Sequence, residues 1–269
     1  MLIVALIFQI AAAPANLERK IEDVFVKADS LSYKGYQVTR SYNPAAEKAW
    51  ATVKKNGRVI VRHGLGEGLN KIEATRFGLV SLLGGGTKQL IIQQYSGGAH
   101  CCYSWWVYDL YPEFRLIYSS DDYSIGDAWG ESSLLDIDRD GIVELVFGSD
   151  WFAYFSRLAF SESPLPKIVF RYNKSTHRYY PANPRYSDYV LKDIEEEIKE
   201  VKNYSDLLPP VLNIMLQYVY AGKEMQAWAI FDRYYTMSDK EAIKQEIKQR
   251  LGADKIYRFI NSRPAGRTR

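Results

Sequence analysis

The chain changes texture once, and that change limits the folds open to it. From about residue 30 to 183 the sequence is dense in aromatic and β-branched residues, interrupted by Gly, Asn and Asp. From about residue 186 it turns to Glu, Lys, Leu, Ile and Ala at helical spacing. Pro181, Asn183 and Pro184 mark the boundary, because Pro interrupts both a strand ladder and a helix interior. A run of strands followed by a run of helices predicts an α+β fold. The expected organisation is a signal peptide at 1–15, a mainly antiparallel β-rich domain at 16–183, a helical domain at 184–260 and a disordered tail at 261–269.

Turn chemistry divides the first region into hairpins. Two alternating runs, Trp50 to Lys55 and Arg58 to Val61, meet at Asn56-Gly57, a dipeptide that accepts the positive φ of a tight hairpin. Trp105 to Leu110 and Phe114 to Tyr118 flank Tyr111-Pro112-Glu113, and Lys167 to Tyr172 and His177 to Tyr180 flank Asn173-Lys174-Ser175. Ser81-Leu82-Leu83 and Ser133-Leu134-Leu135 each lead through a turn into an apolar strand. Together these suggest a weak repeat of about 50 residues with four strands per unit. Such a unit has the size of a propeller blade. The chain holds too few units to close a ring, so an open arc of propeller-like hairpins or a sandwich is expected.

In the second region, Ser187 or Asp188 is placed to start a helix running to about Val201. Pro209-Pro210 opens another through Tyr220, ended by Ala221-Gly222. Ser238 and Glu241 have capping-box spacing for a last helix through Leu251, with Gly252 as its stop. Gly222, Ala227 and Phe231 resemble the small–small–aromatic spacing of a tetratricopeptide helix pair, which implies an interaction module if that face is open; an ordinary helical hairpin packed on the sheets is the alternative. The charged run Asp193 to Lys202 reads as a solvated helix face.

Composition narrows the function classes. The 269 residues are 47% hydrophobic, which excludes a disordered chain. Lys plus Arg number 35 and Asp plus Glu 32, a net charge of +3 that gives no electrostatic case for nucleic acid as a partner. Residues 2–13, LIVALIFQIAAA, are shorter than the roughly 20 residues of a membrane span. Ala13-Pro14-Ala15 fits small-x-small cleavage after Ala15. No Lys or Arg precedes the run, so a buried first element and an uncleaved anchor stay open. Cleavage implies a periplasmic or secreted protein, in an oxidising space rich in calcium, with no integral membrane span.

The strongest chemical motif is Asp136-Ile137-Asp138-Arg139-Asp140-Gly141-Ile142-Val143-Glu144, or D-x-D-x-D-G-x-x-E. Ca²⁺ requires six to eight oxygens, and a tight loop provides them by turning alternate residues inward. Asp136, Asp138 and Asp140 hold the first three alternate positions, Gly141 permits the reversal, the carbonyl of Ile142 follows, and Glu144 closes the shell. An EF-hand places its bidentate Glu at the twelfth position, which is Phe147 here, and strand-like flanks place this loop in a β-hairpin. Four carboxylates this close repel one another unless a cation, protonation or solvent relieves them. An acidic turn without an ion is therefore the alternative.

From Asp136 to Glu144 the chain resembles the FG-GAP (integrin α-type) calcium-loop repeat and its VCBS-like bacterial relatives. The resemblance covers about 20 residues well and the longer repeat only in outline. It implies a non-enzymatic extracellular scaffold with Ca²⁺ as its cofactor and a protein or carbohydrate as its ligand. Gly84-Gly85-Gly86-Thr87-Lys88, at the corresponding turn of the earlier unit, lacks every acid and is expected to bind no ion.

Tyr95-Ser96-Gly97-Gly98-Ala99-His100-Cys101-Cys102-Tyr103 is similar to a segment of exported bacterial proteins that carry the same acidic loop, a resemblance that assigns no activity. Cys101 and Cys102 can form a strained vicinal disulfide, remain two thiols, or join His100 in a metal or acid–base site. The last option keeps an exported hydrolase open as a rival to the calcium scaffold. His63 and His177 are expected at the surface, Asp121, Asp122, Asp127 and Asp150 are weaker candidates to supplement the ion site, and the 21 Tyr and 6 Trp are expected chiefly in the core.

Overall fold

A computed structural model describes residues 18–67, 70–97, 103–125 and 132–262. Its architecture is α+β, with antiparallel sheets first and helices after. The sheets are consecutive meanders. The strands are numbered in chain order from a short edge strand: β1 (Arg19–Lys20), then β2 (Ser30–Tyr33), β3 (Tyr36–Asn43), β4 (Lys48–Lys55) and β5 (Arg58–Glu67). Strands β2–β5 form the first sheet. The second is β6 (Thr75–Val80), β7 (Gln89–Tyr95), β8 (Tyr103–Asp109) and β9 (Arg115–Ser119). The third is β10 (Ser133–Leu135), β11 (Glu144–Gly148), β12 (Lys167–Asn173) and β13 (Arg178–Pro181), with β1 returning to pair with β10. Among the described residues no barrel or propeller ring closes.

Local chemistry explains the hairpins. Asn56 at φ 49° and Gly57 at φ 81° form the turn between β4 and β5. Asn173 Oδ1 accepts the N–H groups of Ser175 and Thr176 at 2.8 and 3.3 Å, which turns β12 back into β13. Trp50 and Trp105 both fall in the third strand of their sheet.

The second sheet is buried on both faces. Leu90, Ile92, Trp106 and Tyr108 pack with Val38 and Val53 of the first sheet. The alternate residues Ile91, Trp105 and Val107 pack with Phe147 and Val169 of the third. This explains why Leu90-Ile91-Ile92 and Trp105-Trp106-Val107 read as continuous apolar runs instead of alternating ones. Gly78 lets the layers close: a Cβ there would lie 2.0 Å from the carbonyl oxygen of Val24, beside the single bridge between Phe25 and Gly78.

A one-turn helix, α1 (Lys71–Ala74), joins the first two sheets. After Pro181 a 3₁₀ turn, Asn183–Tyr186, leads into α2 (Ser187–Val190), α3 (Ile194–Glu200), α4 (Leu208–Tyr220), α5 (Glu224–Tyr234), α6 (Lys240–Ala253) and α7 (Lys255–Ser262). The single helix expected from Ser187 to Val201 is broken between Val190 and Ile194. The expected Ser238 cap is also displaced: α6 starts after Asp239, whose carboxylate accepts from Tyr235 Oη and Arg157. Asp254 accepts the N–H of Ile256 and opens α7, a further helix beyond Gly252, where the sequence pattern ended the last one.

One core spans both regions. Leu212, Met215, Ala227, Phe231 and Ile247 belong to the same buried cluster as Trp105, Phe147 and Phe170. Ala227 and Phe231 are fully buried, so the face they share is occupied by core packing and presents no open groove. The charged side chains from Asp193 to Lys202 are exposed, as expected of a solvated face, except Glu197, which is half-buried and accepts from Asn213 and Gln217 at 3.0 and 2.9 Å, while Ile194 and Val201 turn into the core. Among the described residues no helix is long and apolar enough to cross a membrane.

Candidate metal centre

The acidic loop is the hairpin between β10 and β11, closed by the pairing of Leu135 with Glu144. Its backbone reverses at Arg139 (φ 58°) and Gly141 (φ 83°). Asp136 organises the turn: Oδ1 accepts from the Asp140 N–H and Oδ2 from the Gly141 N–H, both at 3.0 Å. Asp140 Oδ1 accepts the Ile142 N–H at 2.9 Å. The outgoing arm is pinned from two sides, since the Val143 N–H donates to Leu82 O and Tyr179 Oη donates to Val143 O, each at 2.8 Å.

Three of the four carboxylates converge. Asp136, Asp138 and Glu144 each offer an oxygen within 4.8 Å of the others. Asp140 stands outside this trio, with Oδ2 at 2.9 Å from Arg171 Nη2. Ile142 is buried beside the loop. The acids are held at different depths. Glu144 is 0% exposed; its Oε2 accepts the Ile137 N–H at 2.9 Å and its Oε1 lies 2.8 Å from Tyr186 Oη. Burial dominates there and pushes its carboxyl up to about 7; the Ile137 and Tyr186 bonds oppose the rise, while the charges of Asp138 and Asp140 add to it. Asp138 moves the other way. Partial burial favours its neutral form, but hydrogen bonds from Arg185 and Tyr186 and the charges of Arg171 and Arg185 outweigh that and hold it below the ordinary carboxylate value.

The basic partners are the residues that the sequence pattern missed. Arg185 Nε and Nη2 donate to Asp138 Oδ2 at 3.2 and 2.9 Å. Arg171 Nε lies 3.7 Å from the same oxygen and 3.0 Å from Tyr186 Oη. These guanidinium groups supply part of the counter-charge that the crowded loop needs. Arg171 comes from β12 and Arg185 and Tyr186 from the 3₁₀ turn, so no local motif announced them.

The earlier turn proves to be a close structural counterpart. Val80 pairs with Gln89 as Leu135 pairs with Glu144, and the loops 81–88 and 136–143 are of equal length. Gln89 Oε1 accepts the Leu82 N–H at 2.8 Å, as Glu144 Oε2 accepts the Ile137 N–H. The structure therefore aligns Ser81 with Asp136, three positions from the Ser81–Ser133 match that the sequence suggested. The turns also touch: a Cβ on Gly84 would lie 3.1 Å from Gly141 O.

Other candidates separate from this centre. Asp122 pairs with Arg178, Asp121 accepts from Ser119, and neither these nor Asp150 joins the converging trio. His177 is exposed. His63 is not a free surface residue: it stacks on Trp106 with ring centroids 3.9 Å apart and shares a 2.7 Å hydrogen bond with Tyr108 Oη. Burial lowers its pKa to about 4. The expected signal segment at 1–15, His100, Cys101, Cys102, Asp127 and residues 263–269 of the tail expected at 261–269 lie outside the described residues, whereas Asn261 and Ser262 end α7. Trp105, Trp106, Tyr118 and Tyr179 are buried, in keeping with a core role for the aromatics. No family model, no curated protein and no solved structure matches the chain.

Proposed function

We propose that the protein is an exported calcium-binding scaffold in which the Asp136–Glu144 hairpin holds one Ca²⁺. The observation that carries this reading is the convergence of oxygens from Asp136, Asp138 and Glu144 within 4.8 Å. All are hard oxygen donors, which suits Ca²⁺ and gives no soft ligand for zinc or copper. With the Ile142 carbonyl and water, this set approaches the coordination number that Ca²⁺ seeks, whereas Mg²⁺ demands stricter octahedral geometry. A bound Ca²⁺ would supply positive charge beside Glu144, where ionisation is otherwise opposed by burial. The hairpin would then be fixed against the second sheet through Leu82 and against β13 through Tyr179. Export is supported by the apolar run at 2–13 and the small residues after it. The rigid sheets would serve to present a surface to a protein or carbohydrate ligand.

A second reading has its own observation. Arg171 and Arg185 already pair with Asp140 and Asp138, so the hairpin could be an ion-free salt-bridged junction. Thermal unfolding of the full chain separates the two. A ligand that binds only the native state raises Tm with its concentration. Millimolar Ca²⁺ is expected to raise Tm over a chelator control, and Mg²⁺ to raise it less. Superimposed Ca²⁺ and chelator curves would favour the ion-free junction.

A further inference from the structure

We infer that Arg185 is a resident cation that competes with Ca²⁺ for Asp138, and so sets calcium affinity from the junction between sheets and helices. This rests on the calcium reading of the hairpin. Arg185 directs both Nε and Nη2 to a single oxygen, Asp138 Oδ2. That carboxylate belongs to the converging trio, so one group serves two cations. A divalent ion drawing on Asp138 would lie within a few ångströms of the guanidinium, where like charges repel strongly in a partly buried site.

The two arginines differ in their freedom to yield. The Arg171 side chain is 22% exposed and is also held by Asp140 Oδ2 and Tyr186 Oη. The Arg185 side chain is 48% exposed; beyond its two bonds to Asp138 it lies only against Tyr186, 5.8 Å from the ring centroid, and among the described residues no second carboxylate holds it as Asp140 holds Arg171. Arg185 can therefore swing into water while Arg171 stays. Its neighbours tie this exchange to the rest of the fold. Pro184 packs where a Cβ on Gly222 would come within 3.1 Å, just past the end of α4, and Tyr186 reaches Glu144. Calcium occupancy would thus release one clasp between the loop and the turn that carries the chain into the helices, while the Tyr186–Glu144 contact remains.

The test is a Ca²⁺ titration, at fixed ionic strength, of the full wild-type chain, Arg185→Gln, Arg185→Lys and the remote control Arg115→Gln. Arg185→Gln is expected to tighten Ca²⁺ binding by about tenfold, with Arg185→Lys close to wild type and Arg115→Gln unchanged. Binding by Arg185→Gln where the wild type is silent would support the competition in stronger form. Unchanged or weaker binding by Arg185→Gln, with a binding wild type, would overturn it and assign Arg185 to organising the loop. Silence from every variant would overturn the calcium reading itself and this inference with it.

Discussion

Gln89 at the start of β7 and Glu144 at the start of β11 act in the same way, each sending a buried side-chain oxygen back to an N–H of the turn before it. The neutral amide does in one hairpin what the carboxylate does in the next. The backbone bond at Glu144 therefore does not require a charge, and the charge calls for another explanation.

Glu144→Gln separates the two roles. The amide can still accept from Ile137, so the hairpin is expected to fold, while Ca²⁺ affinity falls by tenfold or more through loss of a charged ligand. The stability effect has a definite sign. The native carboxyl titrates near 7, against 4.5 for an ordinary Glu, so the native state holds its proton longer than the unfolded chain. In chelator, the Glu144 contribution is present below pH 4.5 and is lost as pH rises through about 7. The variant should lack that decline in urea unfolding across this range; an identical pH slope in both proteins would count against the assignment.

His63 produces the opposite slope. Its native pKa of about 4 lies below the ordinary 6.5, so the unfolded chain takes up the proton first. Its contribution is complete above about pH 6.5 and is lost as pH falls toward about 4. His63→Gln should lower stability at neutral pH, by loss of the Trp106 stack and Tyr108 bond, and flatten the acid limb. Denaturation midpoints measured across that interval check both effects.

Two glycines should respond differently to Ala. At Gly141 a Cβ meets nothing within 4 Å but φ is +83°, so Gly141→Ala should cost only about 1 kcal/mol of backbone strain. At Gly78 the same atom would overlap the Val24 carbonyl, and Gly78→Ala should cost about 3 kcal/mol or more. Equal losses in chemical denaturation would contradict this ranking.

The shared core predicts joint unfolding. Phe231 on α5 is fully buried in the cluster that contains Trp105 and Phe147 of the sheets. Phe231→Ala should destabilise by about 3–5 kcal/mol and shift sheet tryptophan fluorescence and helical circular dichroism together. A helical signal that melts alone would show that the two regions unfold separately.

What the sequence disclosed was what short-range chemistry controls. Asn56-Gly57 and Asn173 carry their turns within three residues, and the acidic loop is held by its own Asp136 and Asp140. The α+β division followed from periodicity on either side of Pro181. The counter-charges stayed hidden because Arg171, Arg185 and Tyr186 reach the loop only after β12, β13 and the 3₁₀ turn fold back. The kinship of the two hairpins was blurred for another reason: Ser81 stands where Asp136 does and Gln89 where Glu144 does, so loop length and register persist while the acids do not. The break before α3 was hidden too, since helical spacing continues across it.

The central claim is tested most directly by calorimetric titration of Ca²⁺ into the full chain and into Asp138→Ala. Convergent carboxylates predict a saturable heat of about one ion per chain in the wild type, and its loss in the variant. Equal heats from the two proteins, or none from the wild type, would contradict a calcium centre at Asp136, Asp138 and Glu144.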